Sequence, residues 1–135
     1  MSGDSTLNGV WDGLYSYSRT AHPESPFTAV LFASGGHLSG TIHETMRFPG
    51  GAATDANAFL EGSAGDGRIV FTKTYDGTGG QTHSVAYDGR LSADGGEIDG
   101  VWSIRTDWGL ATGRFLMVRA RRATKATDAR IAEKV

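Results

Sequence analysis

Residues 27–46 read FTAVLFASGGHLSGTIHETM, two apolar runs of strand length that are separated by Ser34-Gly35-Gly36. Glycine adopts positive φ without steric cost, and a tight reversal between antiparallel strands requires that conformation. Neither run has the period of an amphipathic helix. The stretch therefore predicts a β-hairpin.

The same arrangement repeats along the chain as eight strand-sized runs, each closed by glycine or by a Gly-Asp turn. Short connections between so many strands are typical of an up-and-down β-barrel, which usually has an inside. We predict an all-β, eight-stranded antiparallel barrel with a short C-terminal tail or helix. Its strands are expected at Val10–Ser18, Phe27–Ala33, His37–Met46, Asn57–Gly62, Arg68–Tyr75, His83–Leu91, Glu97–Thr106 and Ala111–Arg121.

The length of 135 residues suits one domain with its own core. We expect residues 1–8 to be a disordered lead-in, residues 9–121 to form the barrel and residues 122–135 to form a basic tail. Six of the 13 basic residues follow Val118, which leaves 7 basic against 13 acidic side chains in residues 1–118, a formal charge of −6. Because phosphate contacts need clustered Lys and Arg, we expect no nucleic-acid partner.

The chain has no cysteine, which excludes disulfides and thiolate metal ligands. His37 and His43 share a face but lie about 20 Å apart along one strand, too far for both to bind one metal ion. We predict no metal site and no cofactor. No apolar segment reaches the length of a signal peptide or a membrane span, so we expect a cytoplasmic protein without a membrane partner.

Alternation along the first and seventh runs predicts a clear inside of the barrel. The eighth run differs because it is apolar on both faces, with Phe115 and Met117 opposite Leu116 and Val118. Such a strand indicates that another subunit covers its outer face, so we predict a homo-oligomer, a dimer or a tetramer. The inward residues of the first and seventh runs are Trp11, Gly13, Tyr15, Tyr17, Ile98, Gly100, Trp102, Ile104 and Thr106.

Short motifs are spread over residues 9–120: Gly9-Val10-Trp11, Leu38-Ser39-Gly40-Thr41, His83-Ser84, Tyr87-Asp88-Gly89 and Ile98 to Trp102. Together they resemble the avidin/streptavidin barrel. The Gly-X-Trp opening and an arginine on the last strand are also similar to the wider lipocalin-like (calycin) group. In that group the arginine packs over the tryptophan at the closed end of the barrel. The resemblance therefore implies a stabilising cation–π contact between Arg119 and Trp11.

The residues that bind biotin in avidins are mostly replaced. The resemblance aligns the asparagine and the serine that hold the ureido oxygen with Gly13 and Tyr17, and only Trp102 is retained. A buried ureido group without its hydrogen-bond partners is strongly destabilised, so we expect that biotin is not the ligand. The remaining replaced positions are Ile42 for tyrosine, Val85 for threonine, Tyr87 for tryptophan, and Gly113 or Arg114 for aspartate.

The open half of the barrel is predicted to present an aromatic wall with several phenols and one carboxylate. Such a wall suits a hydrophobic or aromatic small molecule that carries a polar group. The inner-face glycines 13, 40 and 100 favour space inside, although side chains often fill a barrel of this size. The candidate ligand-binding residues are Tyr15, Tyr17, Ile42, Glu44, Phe71, Tyr87, Trp102 and Ile104.

Two charged residues share apolar faces. Glu44 is either a buried carboxylate that acts as a proton donor or base, or a solvated residue beside the loop at 47–56. Lys73 shares its face with Phe71 and Tyr75. We expect the Lys73 ammonium to be exposed at the rim, the commoner arrangement, while a buried Lys73 would be reactive.

Three functions remain compatible with these patterns. The first is a non-enzymatic barrel that binds a small hydrophobic or aromatic ligand. The second is a small cavity enzyme of the isomerase or cyclase type that uses Glu44 and the barrel tyrosines. The third is an oligomeric structural barrel with a filled core and no ligand.

Overall fold

The computed structural model describes residues 7–17, 24–47, 53–80 and 82–120 and shows a closed barrel in which neighbouring strands pair antiparallel and the last strand pairs with the first. The predicted fold class is confirmed. Besides the strands, the described residues contain one 3₁₀ turn, Thr78–Gly80, and they contain no helix long and apolar enough to cross a membrane. The strands are β1 (Gly9–Tyr17), β2 (Ser25–Ser34), β3 (His37–Arg47), β4 (Ala53–Gly65), β5 (Arg68–Tyr75), β6 (Ser84–Leu91), β7 (Glu97–Thr106) and β8 (Gly109–Arg119).

The observed strand bounds agree with the predicted ones for β5 and β7. Strand β4 is longer than the predicted Asn57–Gly62, because its first residues pair with the end of β3. The turn after β4 holds Asp66 and Gly67 at positive φ, 53° and 79°, as a two-residue hairpin loop requires. The predicted strand ends at Ser18 and Arg121, and the predicted tail, lie outside the described residues.

The closed end of the barrel, at the β2–β3, β4–β5 and β6–β7 turns, is filled by apolar side chains. Trp11 is fully buried there, and its indole N–H donates to the carbonyl oxygen of Leu7 at 2.9 Å. The Arg119 guanidinium lies 4.6 Å from the centre of the Trp11 ring, which confirms the predicted cation–π contact. The buried side chains of the closed end are Leu7, Trp11, Leu31, Leu38, Ile69, Ile98 and Met117.

The two residues before β1 take part in this packing. Leu7 is 2% exposed, and the side-chain oxygen of Asn8 accepts a hydrogen bond from the Ala33 backbone N–H at 2.7 Å. The Arg119 guanidinium also donates to the Asn8 carbonyl oxygen at 3.0 Å. Of the predicted lead-in at 1–8, only residues 1–6 therefore lie outside the described structure.

The inner-face glycines do not provide open space, contrary to the expectation from the sequence. A Cβ atom on Gly13 would lie 2.2 Å from the Phe27 ring, and one on Gly40 would lie 2.0 Å from the Val30 carbonyl oxygen. Gly100 likewise faces the backbone of the neighbouring strand. These glycines allow a ring to pack and strands to approach closely, so the space inside the barrel has another origin.

Two apolar side chains on the outer face of β8 are buried. Leu116 and Val118 point outward and are nevertheless only 5% and 4% exposed. The apolar outer face that suggested a second subunit is therefore not free, and the predicted homo-oligomer loses that basis while remaining a prediction.

Candidate functional site

A cavity of about 140 Å³ lies at the end of the barrel opposite the closed end. It is bounded by the last residues of β1, β5 and β7 and by the first residues of β6. All four tyrosines of the chain lie in its wall. We call this region the cavity end. Its lining residues are Tyr15, Tyr17, Lys73, Tyr75, His83, Val85, Tyr87, Trp102 and Ile104.

A buried ion pair lies against this cavity. The Lys73 ammonium donates to Oε2 of Glu44 at 3.0 Å, and each residue is only 2% exposed. Tyr75 donates to Oε1 of Glu44 at 2.8 Å and accepts a hydrogen bond from Lys73 at 2.8 Å. Tyr15 donates to the same Oε1 at 3.1 Å. Both carboxylate oxygens are therefore occupied, and the buried negative charge is balanced by a cation and two phenols.

Alternation along two strands and small residues between them bring the pair together. Glu44 points inward on β3, and Lys73 and Tyr75 point inward on β5. Strand β4 separates β3 from β5, and it places Ala56 opposite Glu44 and Ala58 opposite Tyr75. Because both alanines are buried and small, the long side chains of the flanking strands meet in front of β4.

The Lys73 ammonium is also surrounded by aromatic rings. Its nitrogen lies 4.5 Å from the ring centre of Tyr75, 5.1 Å from that of Tyr15 and 5.3 Å from that of Tyr87. Ring faces carry negative potential, so they stabilise the cation that burial destabilises. Three aromatic rings therefore surround the Lys73 ammonium beside the cavity.

Burial changes the proton affinity of these groups. It lowers the pKa of Lys73, and the charge of Glu44 opposes that shift. Burial, and then the charge of Glu44, raises the pKa of both Tyr15 and Tyr75. The same two causes raise the pKa of Tyr87 well above its usual value. The phenols are thus neutral hydrogen-bond donors at neutral pH.

Tyr87 differs from the other buried phenols. Its ring stacks on Phe71 with centres 4.8 Å apart and meets Phe115 edge-on at 4.9 Å. The side chain is 2% exposed and lines the cavity. Among the described residues, its hydroxyl has no hydrogen-bond partner. This O–H is therefore a donor that a guest in the cavity can use.

The rim of the cavity is aromatic as well. Tyr17, which is 40% exposed, meets the Trp102 ring edge-on at 5.0 Å. The Trp102 indole N–H donates to the carbonyl oxygen of Ser16 at 2.9 Å, which fixes the ring. The His83 ring lies 4.7 Å from that of Tyr75. Burial, and then the charge of Lys73, lowers the pKa of His83, which favours the neutral imidazole at the rim.

The structure brings five of the eight predicted residues into the cavity wall: Tyr15, Tyr17, Tyr87, Trp102 and Ile104. Three are placed elsewhere. Phe71 lies behind Tyr87, Ile42 is buried in the core, and Glu44 lies behind Lys73.

Two predictions about charge need correction. The solvated position considered for Glu44 is wrong, because its side chain is buried. The exposed position expected for Lys73 is also wrong, because Glu44 and Tyr75 hold its ammonium inside the barrel. The sequence contains the signal for both buried positions. Glu44 and Lys73 each lie on an apolar strand face that points inward, and their opposite charges allow each to be the partner of the other.

Metal binding finds no support among residues 7–17, 24–47, 53–80 and 82–120, where no three His, Asp or Glu side chains converge. His37 and His43 point outward, and each lies 3.7 Å from a carboxylate oxygen, of Glu61 and Asp55 respectively. These exposed pairs are surface contacts.

Fold and site together define the chain as a closed antiparallel β-barrel with a small aromatic cavity beside a buried ion pair. No protein-family model and no curated protein matches it. Among solved structures it is similar to lobster apocrustacyanin A1, with a TM-score of 0.44 and 12% sequence identity, over 96% of this chain and 69% of that chain. Likeness at this level indicates nothing about a ligand, and avidin-like character stays a prediction.

Proposed function

We propose that the barrel binds one small, neutral aromatic compound that carries a carbonyl oxygen. The observation that carries this proposal is Tyr87, a side chain of the cavity wall whose hydroxyl makes no hydrogen bond to another described residue. The function is binding, and biotin is not the ligand.

The size of the cavity supports a guest with one ring. Its volume is about 140 Å³. An apolar cavity of about 150 Å³ in another protein takes up benzene, so a single substituted ring fits a space of this size. Bicyclic or long-chain ligands exceed it.

The walls support an aromatic guest. Tyr15, Tyr17, Tyr87 and Trp102 present ring faces and edges, and Val85 and Ile104 complete the apolar surface. Aromatic side chains prefer edge-to-face and offset contacts with another ring, and each such contact adds to the stabilisation from burial. A flat ring is therefore better complemented here than a branched aliphatic molecule.

The polar groups support a neutral acceptor on the guest. Tyr87 offers one O–H, and Lys73 has one N–H left after its bonds to Glu44 and Tyr75. Both groups are donors, so they match a carbonyl oxygen. A carboxylate guest would place a second negative charge beside Glu44 without a second cation, which burial makes costly.

Catalysis by Glu44 is less well supported. Both of its oxygens already accept hydrogen bonds, from Lys73, Tyr15 and Tyr75. Glu44 is also absent from the cavity lining, so a guest would meet Lys73 and the phenols first.

The test is calorimetric titration with acetophenone and with ethylbenzene, which has nearly the same shape but no carbonyl oxygen. We expect acetophenone to bind roughly threefold to tenfold more tightly, because one net hydrogen bond to Tyr87 is worth about 1 kcal/mol. Tyr87→Phe removes the hydroxyl and keeps the ring, so it should reduce the difference between the two compounds to what the Lys73 N–H alone supplies.

The matched control is Phe59→Leu, a change of a ring that is 60% exposed on the outer face. It should leave both affinities unchanged. If neither compound binds the wild-type protein, or if acetophenone keeps its full advantage in Tyr87→Phe, the proposal is overturned.

A further inference from the structure

We propose that Lys73 forms a reversible imine with a small aromatic aldehyde bound in the cavity, with Glu44 as the counter-ion of the resulting iminium. This inference rests on the proposed binding function, which it extends from hydrogen bonding to covalent capture. It is carried by the position of the Lys73 ammonium in the cavity wall, 3.0 Å from a buried carboxylate.

The geometry places the nucleophile and its proton acceptor together. The ammonium of Lys73 contacts Oε2 of Glu44 directly, so one proton has a short path to the carboxylate. Transfer leaves a neutral amine and a neutral acid, and burial favours neutral groups. The lowered pKa of Lys73 acts in the same direction. A desolvated lysine in an apolar pocket is a recognised kind of amine nucleophile.

The reaction conserves atoms and charge. The freed amine of Lys73 attacks the aldehyde carbon, and a second proton moves from nitrogen to the carbonyl oxygen, giving a carbinolamine. Glu44 then returns its proton to that hydroxyl group, which leaves as water while the nitrogen lone pair forms the C=N bond. The nitrogen keeps one proton. Ammonium, carboxylate and aldehyde thus become iminium, carboxylate and one water, with no oxidant or reductant.

The cavity also suits the product. The iminium carries the same single positive charge as the ammonium it replaces, so the balance with Glu44 is preserved. The rings of Tyr15, Tyr75 and Tyr87, whose centres lie 4.5 to 5.3 Å from the nitrogen, surround that charge as they surround the ammonium. The Tyr87 hydroxyl is free to bond the carbonyl oxygen during attack.

The sequence makes selective capture easy to detect, because the chain has only three lysines, Lys73, Lys125 and Lys134. The wild-type protein is incubated at neutral pH with benzaldehyde and cyanoborohydride, which reduces an imine to a stable benzylamine. Intact mass and peptide mapping then locate the label. We expect Lys73 to be labelled at least about tenfold faster than the other two lysines and the N-terminal amine, because binding concentrates the aldehyde beside it.

Two variants separate a nucleophile from a structural lysine. Lys73→Arg keeps the positive charge beside Glu44 but cannot form an imine, so it should lose the selective label while folding as the wild type does. Glu44→Gln keeps the shape of the side chain and removes the acid that protonates the leaving hydroxyl group. It should therefore slow labelling at Lys73 by about tenfold or more, although the amine then loses its proton more readily.

The outcomes are distinct. Selective label at Lys73 supports the proposal. Equal labelling of all amines, or label confined to Lys125, Lys134 and the N-terminus, overturns it. Titration with benzamide, which has the same ring and a carbonyl oxygen but cannot form an imine, runs in parallel. If benzamide binds and Lys73 is not labelled, imine formation fails while the binding function stands; if benzamide does not bind either, the binding function fails as well.

Discussion

The two ends of this barrel are built from different chemistry on the same strands. At the closed end, Trp11, Leu31 and Met117 fill the interior, and the Trp11 indole N–H donates to the Leu7 carbonyl oxygen. At the cavity end, the same strands carry phenols, an ion pair and a space of about 140 Å³. A barrel that needed only to fold could repeat the closed-end pattern at both ends.

The difference favours the cavity end as the place of the proposed function. Replacing a buried ion pair by apolar residues of similar volume is often neutral or stabilising. An interior that keeps Glu44 and Lys73 therefore forgoes stability that simple apolar packing would supply. Departures of this kind from good packing are characteristic of functional sites.

The largest contrast between the two ends should appear in alkali. Because the pKa values of Tyr15, Tyr75 and Tyr87 are raised in the folded protein, the unfolded chain loses these protons first. By linkage, this stabilisation is complete below about pH 10 and is lost above it, by up to about 4 kcal/mol per pH unit for three phenols. The lowered pKa of Lys73 acts in the opposite direction, but only below its unfolded value of about 10.4.

The measurement follows tyrosinate absorbance and circular dichroism together as the pH rises. The buried phenols should ionise in one step that coincides with loss of the barrel. If all the tyrosines instead ionise gradually near pH 10 while the circular dichroism stays unchanged, the phenols of the cavity end are not buried, which would contradict this account. His83, whose pKa is lowered by burial and by the charge of Lys73, changes charge at lower pH.

The next largest effect concerns the ion pair. Lys73→Met leaves Glu44 buried without its cation and should lower the free energy of unfolding by about 3–5 kcal/mol. The double variant Glu44→Leu/Lys73→Met removes both charges and should be more stable than that single variant. Urea denaturation measures all three proteins. A loss below about 1 kcal/mol in Lys73→Met would contradict a buried pair.

A smaller effect is expected at the closed end. Leu31→Ala removes a fully buried side chain and should cost about 3 kcal/mol by the same measurement. Its affinity for acetophenone should be unchanged, whereas substitutions at the cavity end alter affinity. A large loss of acetophenone binding in Leu31→Ala would remove the distinction between the two ends.

Much of the fold could be predicted because two local signals mark the strands. These are apolar runs of strand length that end in glycine, and the alternation of inward and outward residues along a strand. They gave β5 and β7 correctly and placed Trp11 and Arg119 together. The pairing of Glu44 with Lys73 could not be read in this way, because the two residues lie on non-neighbouring strands and meet only where small residues of β4 leave room. A single charged side chain on either strand predicts solvent exposure. Two opposite charges that contact each other can be buried together.

The inner-face glycines illustrate the same limit. Their spacing indicated space, but whether a missing side chain leaves a void depends on the ring or strand that approaches it. Phe27 fills the position that Gly13 leaves. Tyr75 is likewise absent from the candidate ligand-binding residues, although it is the remaining tyrosine and lies on the same face as Lys73.

The three tryptophans permit a direct comparison of the two ends in one experiment. Trp102 lines the cavity, Trp11 is buried at the closed end, and Trp108 is 96% exposed in the β7–β8 turn. Each indole N–H gives one signal in a proton–nitrogen correlation spectrum, recorded while acetophenone is added. If the cavity end is the binding site, the Trp102 signal shifts and saturates while the Trp11 and Trp108 signals stay in place. An unmoved Trp102 signal, or a shift confined to Trp11 or Trp108, would contradict that claim.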